Sequence, residues 1–172
     1  MPSSPSASRL GDRPGDLWLR PLQAGDADQV AEVYRDAVLC QANGLYTPEQ
    51  VQAWSGHPHR TEGLGPALER GFGLVSCAEA GGSIEAFGLL DPLDRLSLLY
   101  CRGRSCRQGR ATALLEALQQ HARAAGVTWL RTEASQLSRP LLERQGWGVE
   151  AEETVLYAGV PFQRWRMRRS LL

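Results

Sequence analysis

Lysine is missing from this chain: its 19 basic side chains are all arginines, and 19 aspartates and glutamates bring the formal net charge to zero over 172 residues. Acids dispersed among the arginines exclude the broad basic face of a nucleic-acid binder. The same lack removes the mononucleotide P-loop, which requires Gly-x-x-x-x-Gly-Lys followed by Ser or Thr. No apolar stretch approaches a bilayer-crossing length, and residues 1–16 are rich in Pro, Ser and Gly without the apolar centre of a signal peptide. Those residues are expected to form a flexible tail, and residues 17–172 a single cytoplasmic domain. The cysteines Cys40, Cys77, Cys101 and Cys106 lack the paired spacing of a zinc site and are expected as free thiols, with no metal. There is no internal repeat. With 42% hydrophobic residues, the chain can fill one sizeable core.

What the chain does have is the run Cys106-Arg107-Gln108-Gly109-Arg110-Ala111-Thr112, between an apolar strand at residues 96–101 and a long amphipathic helix at about 108–125, closed by Gly126. A strand that becomes a helix through Gly and small residues leaves backbone N–H groups unpaired where the helix dipole adds positive charge, which suits a phosphate. Gly109 and Ala111 allow a diphosphate close to the backbone, and Arg102, Arg104, Arg107 and Arg110 crowd the same turn. The dinucleotide pattern Gly-x-Gly-x-x-Gly fails, because the glycines here are Gly103 and Gly109. In the helix, Ala111, Leu114, Leu115, Leu118, Ala122 and Ala125 recur three or four apart and mark a face packed on a sheet.

The remaining elements follow from pattern. An opening strand at 17–22 precedes a helix N-capped by Asp26 and running to about Cys40, with Val30, Val33, Tyr34 and Ala37 inward. Thr47-Pro48-Glu49-Gln50 combines a capping box with proline at the first helical position. A Gly/Pro-rich loop with one helical turn near 67–70 leads to a hairpin of strands 72–79 and 84–90 around Gly81-Gly82-Ser83. After the central helix come a strand at 128–134, a short Ser-initiated helix near 138–145 and two strands at about 154–157 and 162–169. In the last, Trp165 and Met167 alternate with Arg164, Arg166 and Arg168, which predicts one packed face and one solvated arginine face. The order implies an α/β (α+β) fold: a mixed, mostly antiparallel sheet of six to seven strands with helices on both faces.

Two spaced motifs carry a family resemblance. The turn fits the pattern Gln or Arg, two residues, Gly, one residue, then Gly or Ala, with Cys106 in the first position. Downstream, Ser135-Gln136-Leu137-Ser138-Arg139-Pro140-Leu141-Leu142-Glu143-Arg144-Gln145-Gly146-Trp147 keeps the spacing of Asn-x-x-Ala-x-x-Phe-Tyr-Glu-x-x-Gly-Phe. On these motifs the chain resembles the GNAT superfamily of N-acetyltransferases from about Leu17 to its C-terminus. Leu45-Tyr46-Thr47-Pro48-Glu49-Gln50, Trp54 and Thr132-Glu133-Ala134-Ser135 are similar to a bacterial subgroup whose substrates are mostly unassigned. The resemblance implies the GNAT fold and acetyl-CoA as cosubstrate. Its pyrophosphate would lie on Cys106, Arg107, Gln108, Gly109, Arg110, Ala111 and Thr112. Leu99, Tyr100 and Cys101 would line the pantetheine and acetyl carbonyl, with Ser135 and Ser138 completing the donor site. Three departures stand out: Cys106 replaces a polar side chain, Ser135 replaces Asn, and Leu142 stands where many members carry the Tyr that protonates the CoA thiolate.

The chemistry implied is attack of a primary amine on a thioester, which needs an amine that loses its proton, a polarised carbonyl and a stabilised leaving group. Glu133 is the first candidate for the base, directly or through water; the competing reading is a structural carboxylate paired with an arginine. Tyr100 is the candidate acid, against a default of packing. The implied acceptor pocket takes in His57, which with His59 can accept a proton near neutral pH, and an aromatic wall of Tyr46 and Trp54 that could equally be core. The expected partner is a small-molecule or peptide amine, with no nucleic acid and no membrane, and the protein a monomer or homodimer. Leu142 and Cys106 leave a second class open, an acetyl-CoA-binding sensor or structural module without turnover.

Overall fold

The computed structural model describes residues 17–56 and 63–172. Seven strands form one sheet: β1 (Trp18–Pro21), β2 (Phe72–Cys77), β3 (Ile84–Leu90), β4 (Arg95–Cys101), β5 (Trp129–Ala134), β6 (Gly148–Tyr157) and β7 (Val160–Ser170), in spatial order β1-β2-β3-β4-β5-β7-β6. Neighbours are antiparallel except β4 and β5, which are parallel and pair only at Arg95 with Arg131 and Leu96 with Thr132. Beyond these two rungs the strands part, and a gap opens beside residues 98–101.

Among the described residues five α-helices cover both faces: α1 (Ala27–Gln41), α2 (Pro48–Ser55), α3 (Leu64–Arg70), α4 (Arg110–Ala124) and α5 (Arg139–Arg144). Val30, Val33, Tyr34, Ala37 and Val38 bury one stripe of α1, as their spacing dictates. That stripe joins Val51 and Trp54 of α2 and Val75, Ile84 and Phe87 of the sheet in one core layer. On the opposite face Leu114, Leu115, Leu118 and Ala122 of α4 and Leu142 of α5 pack with Leu90, Leu96, Leu130 and Met167. Burying a leucine is worth about 2 kcal/mol and a side-chain N-cap about 1 kcal/mol. Three buried leucines therefore hold α4 without a cap, and no side chain caps its first turn. Among the described residues no helix is long and apolar enough to cross a membrane.

Thr47 caps α2 with the reciprocal Thr47–Gln50 bonds of a capping box, as its sequence requires. Asp26 acts differently from expectation. Its carboxylate accepts from the Gln23 N–H at 2.9 Å and from Arg20 at 2.8 and 2.9 Å, and so closes the short 3-10 turn ahead of α1 rather than capping α1. The Arg20 hydrogen bonds hold its pKa below the ordinary carboxylate value. Helix α4 starts at Arg110, two residues later than its apolar pattern suggests, because Gly109 is left-handed with φ +81°. Strand β6 starts at Gly148, well before residue 154: it is a sheet edge carrying Glu150, Glu152 and Glu153, so no apolar alternation announces it.

Strand β7 buries both faces, with Phe162 in the α1 layer and Met167 in the α4 layer. Its arginine face is correspondingly not all solvated, since half-buried Arg164 pairs with Glu153 at 2.6 Å. In β4 the pairs Leu89–Leu98 and Leu90–Leu96 leave Ser97 as an extra residue, a β-bulge. Leu96 belongs to the α4 layer. After the bulge Leu98 and Tyr100 belong to the α1 layer, and Leu99 and Cys101 to the α4 layer.

Candidate active site

The gap beside β4 is the start of the site. Arg102 N–H donates to the Glu85 carbonyl at 2.8 Å, which fixes the phase of β4: Tyr100 and Leu98 direct their backbone groups to β3, Leu99 and Cys101 to the gap. Gln41 of α1 donates to the Cys101 carbonyl at 2.6 Å, so the gap edge keeps the Leu99 N–H and C=O and the Cys101 N–H. A cavity of about 150 Å³ fills the gap and brings together Leu99, Tyr100, Cys101, Ala111, Ser135 and Ser138. Buried Leu142 lines it from α5. Ser135 and Ser138 lock each other: each hydroxyl accepts the other's backbone N–H, at 3.1 and 3.0 Å.

From β4 the chain passes through a 3-10 turn at Gly103–Ser105 into the predicted phosphate loop. Gly103 N–H donates to the Asp36 carboxylate at 2.8 Å, and a Cβ on Gly103 would come within 2.6 Å of Cys40 Cβ, so the turn sits directly on α1. The first helical N–H of α4 with an acceptor is that of Ala113, to Gly109 at 2.9 Å; those of Arg110, Ala111 and Thr112 precede it and fan out at the helix start. Gly109 is exposed, and a Cβ there would meet, among the described residues, nothing nearer than Leu17 Cδ1 at 4.0 Å.

The arginines behave otherwise than their crowding predicts. Glu85 is buried between Arg102 at 3.3 Å and Arg104 at 2.9 Å, and Arg110 turns inward to Ser76 Oγ at 2.8 Å and the Cys77 carbonyl at 3.0 Å. Arg107, exposed with φ +60°, has no ion-pair partner among the described residues. Exposed Gln108 lies beside it. Cys106 Sγ contacts the Arg102 carbonyl at 3.4 Å, as Cys101 Sγ does at 3.5 Å; burial pushes the Cys101 thiol up to about 12 and the Cys106 thiol above its ordinary value.

A second cavity, about 80 Å³, adjoins the first, and Trp54, Tyr100, Glu133 and Ser135 line both. Tyr100 packs edge-on against Tyr34, ring centroids 4.8 Å apart, and lies 5.8 Å from Phe87. Burial pushes its hydroxyl well above the ordinary tyrosine value, so it carries a proton throughout the neutral range. Glu133 is paired with Arg95, at 3.0 Å to Nε and 2.9 Å to a terminal nitrogen, and thus has the arginine partner foreseen for it while still facing both cavities. Trp54 is at once core and wall: it is buried, its carbonyl accepts the Tyr34 hydroxyl at 2.6 Å, and its ring lies 5.1 Å from that of Tyr46. The Tyr46 hydroxyl accepts from the Gln136 N–H at 2.9 Å. His57 and His59 lie outside the described residues.

Sequence reasoning missed the far wall of this second cavity, Tyr157, Phe162 and Arg164 of the β6–β7 hairpin. Tyr157 and Phe162 flank the turn Ala158-Gly159, with φ +50° and +77°, and their rings meet at 5.3 Å. The aromatic pair around Ala-Gly was a visible hairpin signal; its delivery to the site depends on β7 pairing with β5, which pattern alone does not reveal.

Residues 43–169 match the family described as "Acetyltransferase (GNAT) domain". An Escherichia coli (strain K12) protein, the uncharacterized N-acetyltransferase YafP, is 24% identical over 153 residues, covering 89% of this chain and 95% of its own. The solved structure of a GCN5-related N-acetyltransferase from Rhodopseudomonas palustris is similar with a TM-score of 0.81 at 23% identity, over 89% of this chain and 94% of that one. PaiA N-acetyltransferase from Thermoplasma acidophilum, solved in complex with coenzyme A, gives 0.71 at 19% identity, over 89% and 98%.

Proposed function

Because the chain belongs to the GNAT acetyltransferase family, we propose that it transfers the acetyl group of acetyl-CoA to a primary amine by direct attack in a ternary complex. The observation that supports this reading is the wall of Trp54, Tyr100, Glu133 and Ser135 that two adjoining cavities share, one suited to the donor and one to the acceptor. The residues fit the donor: open N–H groups at the start of α4, an uncrowded left-handed Gly109 and the unengaged Arg107 suit a pyrophosphate. When bound, acetyl-CoA supplies an activated thioester carbonyl and a thiolate leaving group.

The chain's own residues then divide the work. Backbone N–H groups of Gly109, Arg110, Ala111 and Thr112, with Arg107, hold the pyrophosphate; Cys106 and Gln108 contribute through the main chain of the same turn. The Leu99 and Cys101 N–H groups offer donors along the gap to the pantetheine and the thioester carbonyl. Ser135 and Ser138 fix the loop opposite. Tyr100 keeps a proton available for the departing sulfur, a role that Leu142 cannot take. Glu133, oriented by Arg95, receives the amine proton through water. The four free thiols suit a reducing, cytoplasmic compartment, and we read the protein as a monomer or homodimer.

The test is purified protein with acetyl-CoA and a panel of primary amines, with CoA release followed chromatographically because the chain has thiols of its own. Amine-dependent release is expected. Tight CoA binding without release for any amine would support instead the sensor reading that Leu142 and Cys106 keep open.

A further inference from the structure

The acceptor cavity has an unusual lining. Five rings, Tyr46, Trp54, Tyr100, Tyr157 and Phe162, surround a space of about 80 Å³. An apolar cavity of roughly 150 Å³ admits benzene. The space here therefore suits a short alkyl chain or the edge of one ring, with the remainder of the molecule at the mouth. The two charged side chains in the wall are each satisfied within the protein: Glu133 by Arg95 at 2.9 Å and Arg164 by Glu153 at 2.6 Å. Arg164 and Glu153 are both half-buried and stand directly opposite each other across β6 and β7. An acceptor carboxylate or phosphate would meet a guanidinium whose charge Glu153 already balances through Nε, so the pair as a whole gives an anion little attraction. An ammonium group, by contrast, is attracted by the ring faces without breaking either pair.

We infer that the acceptor is a small primary amine on an apolar body, an alkylamine or aralkylamine bearing no anionic group, selected by the aromatic lining and by the self-neutralised Arg164–Glu153 pair. The inference rests on the acetyltransferase reading for the identity of the cavity.

The experiment compares molecules that differ only by the α-carboxylate: 2-phenylethylamine against phenylalanine, and isoamylamine against leucine. Calorimetric binding to the CoA-loaded protein is measured beside the rate of CoA release. The amines are expected to bind at least tenfold more tightly than the amino acids and to show the higher kcat/KM. Glu153→Gln frees Arg164 and should narrow that preference at least threefold, with folding checked by thermal melting. Tyr157→Ala should weaken both amines about fivefold while CoA affinity stays the same. Equal or tighter binding of the amino acids, or no binding of any of the four, overturns the inference; CoA release with the amino acids would at the same time uphold acetyl transfer. Preferential amine binding without CoA release would uphold the selectivity of the cavity and sink acetyl transfer. A folded Glu153→Gln protein with unchanged preference removes the role assigned to the ion pair.

Discussion

Replacing Gly109 with alanine separates the conformational demand of the turn from the pyrophosphate binding proposed for it. Gly109 sits at φ +81°, and among the described residues the nearest atom to an added Cβ is Leu17 Cδ1 at 4.0 Å, an ordinary contact, so crowding by them contributes nothing. The cost is left-handed strain alone, about 1–2 kcal/mol. For a chain of this size that corresponds to a fall in Tm of about 2–8 °C. Binding should suffer more. If the turn relaxes to relieve the strain, one N–H bond to pyrophosphate is lost, and a hydrogen bond to a charged group is worth about 1.5–3 kcal/mol, or roughly a tenfold to hundredfold rise in Kd. Calorimetry on the folded variant would measure CoA beside S-acetylpantetheine, which lacks the diphosphate. The loss should appear for CoA and vanish for the shorter ligand. Equal losses for the two, or an undiminished CoA affinity, would refute the assignment of the turn to pyrophosphate.

Tyr100→Phe should lower kcat about a hundredfold, the low end for loss of a general acid, with KM for acetyl-CoA unchanged in steady-state assays. Because burial raises the Tyr100 hydroxyl, the wild-type protein should show no fall in kcat from this group below about pH 10. Glu85→Ala removes the buried partner of Arg102 and Arg104; a loss of about 3 kcal/mol is expected in denaturant melts, the low end for a broken buried pair because Arg104 stays in water. Asp26→Asn should cost about 1.5 kcal/mol at pH 7. The folded-state pKa of Asp26 is depressed by Arg20, so its contribution is complete above the unfolded carboxylate value of about 3.9 and is lost as pH falls below that; wild-type and variant melting curves should converge in acid, and a gap that persists at pH 2 would contradict the assignment.

The turn into α4 was legible because everything that makes it is local: Gly109, small Ala111 and the periodic leucines of α4 lie within one helix length. The fate of the arginines around it was not, since it depends on Glu85, a strand residue buried some twenty positions earlier and invisible as a partner until β3 and β4 pair. Leu142 could be read as a missing acid only through the family resemblance, whose motif puts a tyrosine at that position in many members. The pairing of Glu133 with Arg95 could be anticipated only as one option among many, because the arginine comes from a neighbouring parallel strand. The second wall of the acceptor cavity required long-range pairing, and the acidic edge strand β6 hid its own beginning. Asp26 had the residue type of a helix cap but found a nearer donor in Gln23 and a stronger one in Arg20.

The extra residue at Ser97 makes β4 a strand written in two phases. Past it, odd positions 99 and 101 turn their backbone to the gap, while even positions 98 and 100 send side chains toward the α1 layer. One short segment thus divides its work by parity, main chain to the gap and side chains to the α1 layer. A point substitution at Tyr100 changes a side chain that lines both cavities and leaves the main-chain groups of 99 and 101 intact. A change of length does not: losing or gaining one residue there would exchange the two sets at once, so this stretch is bound to its count.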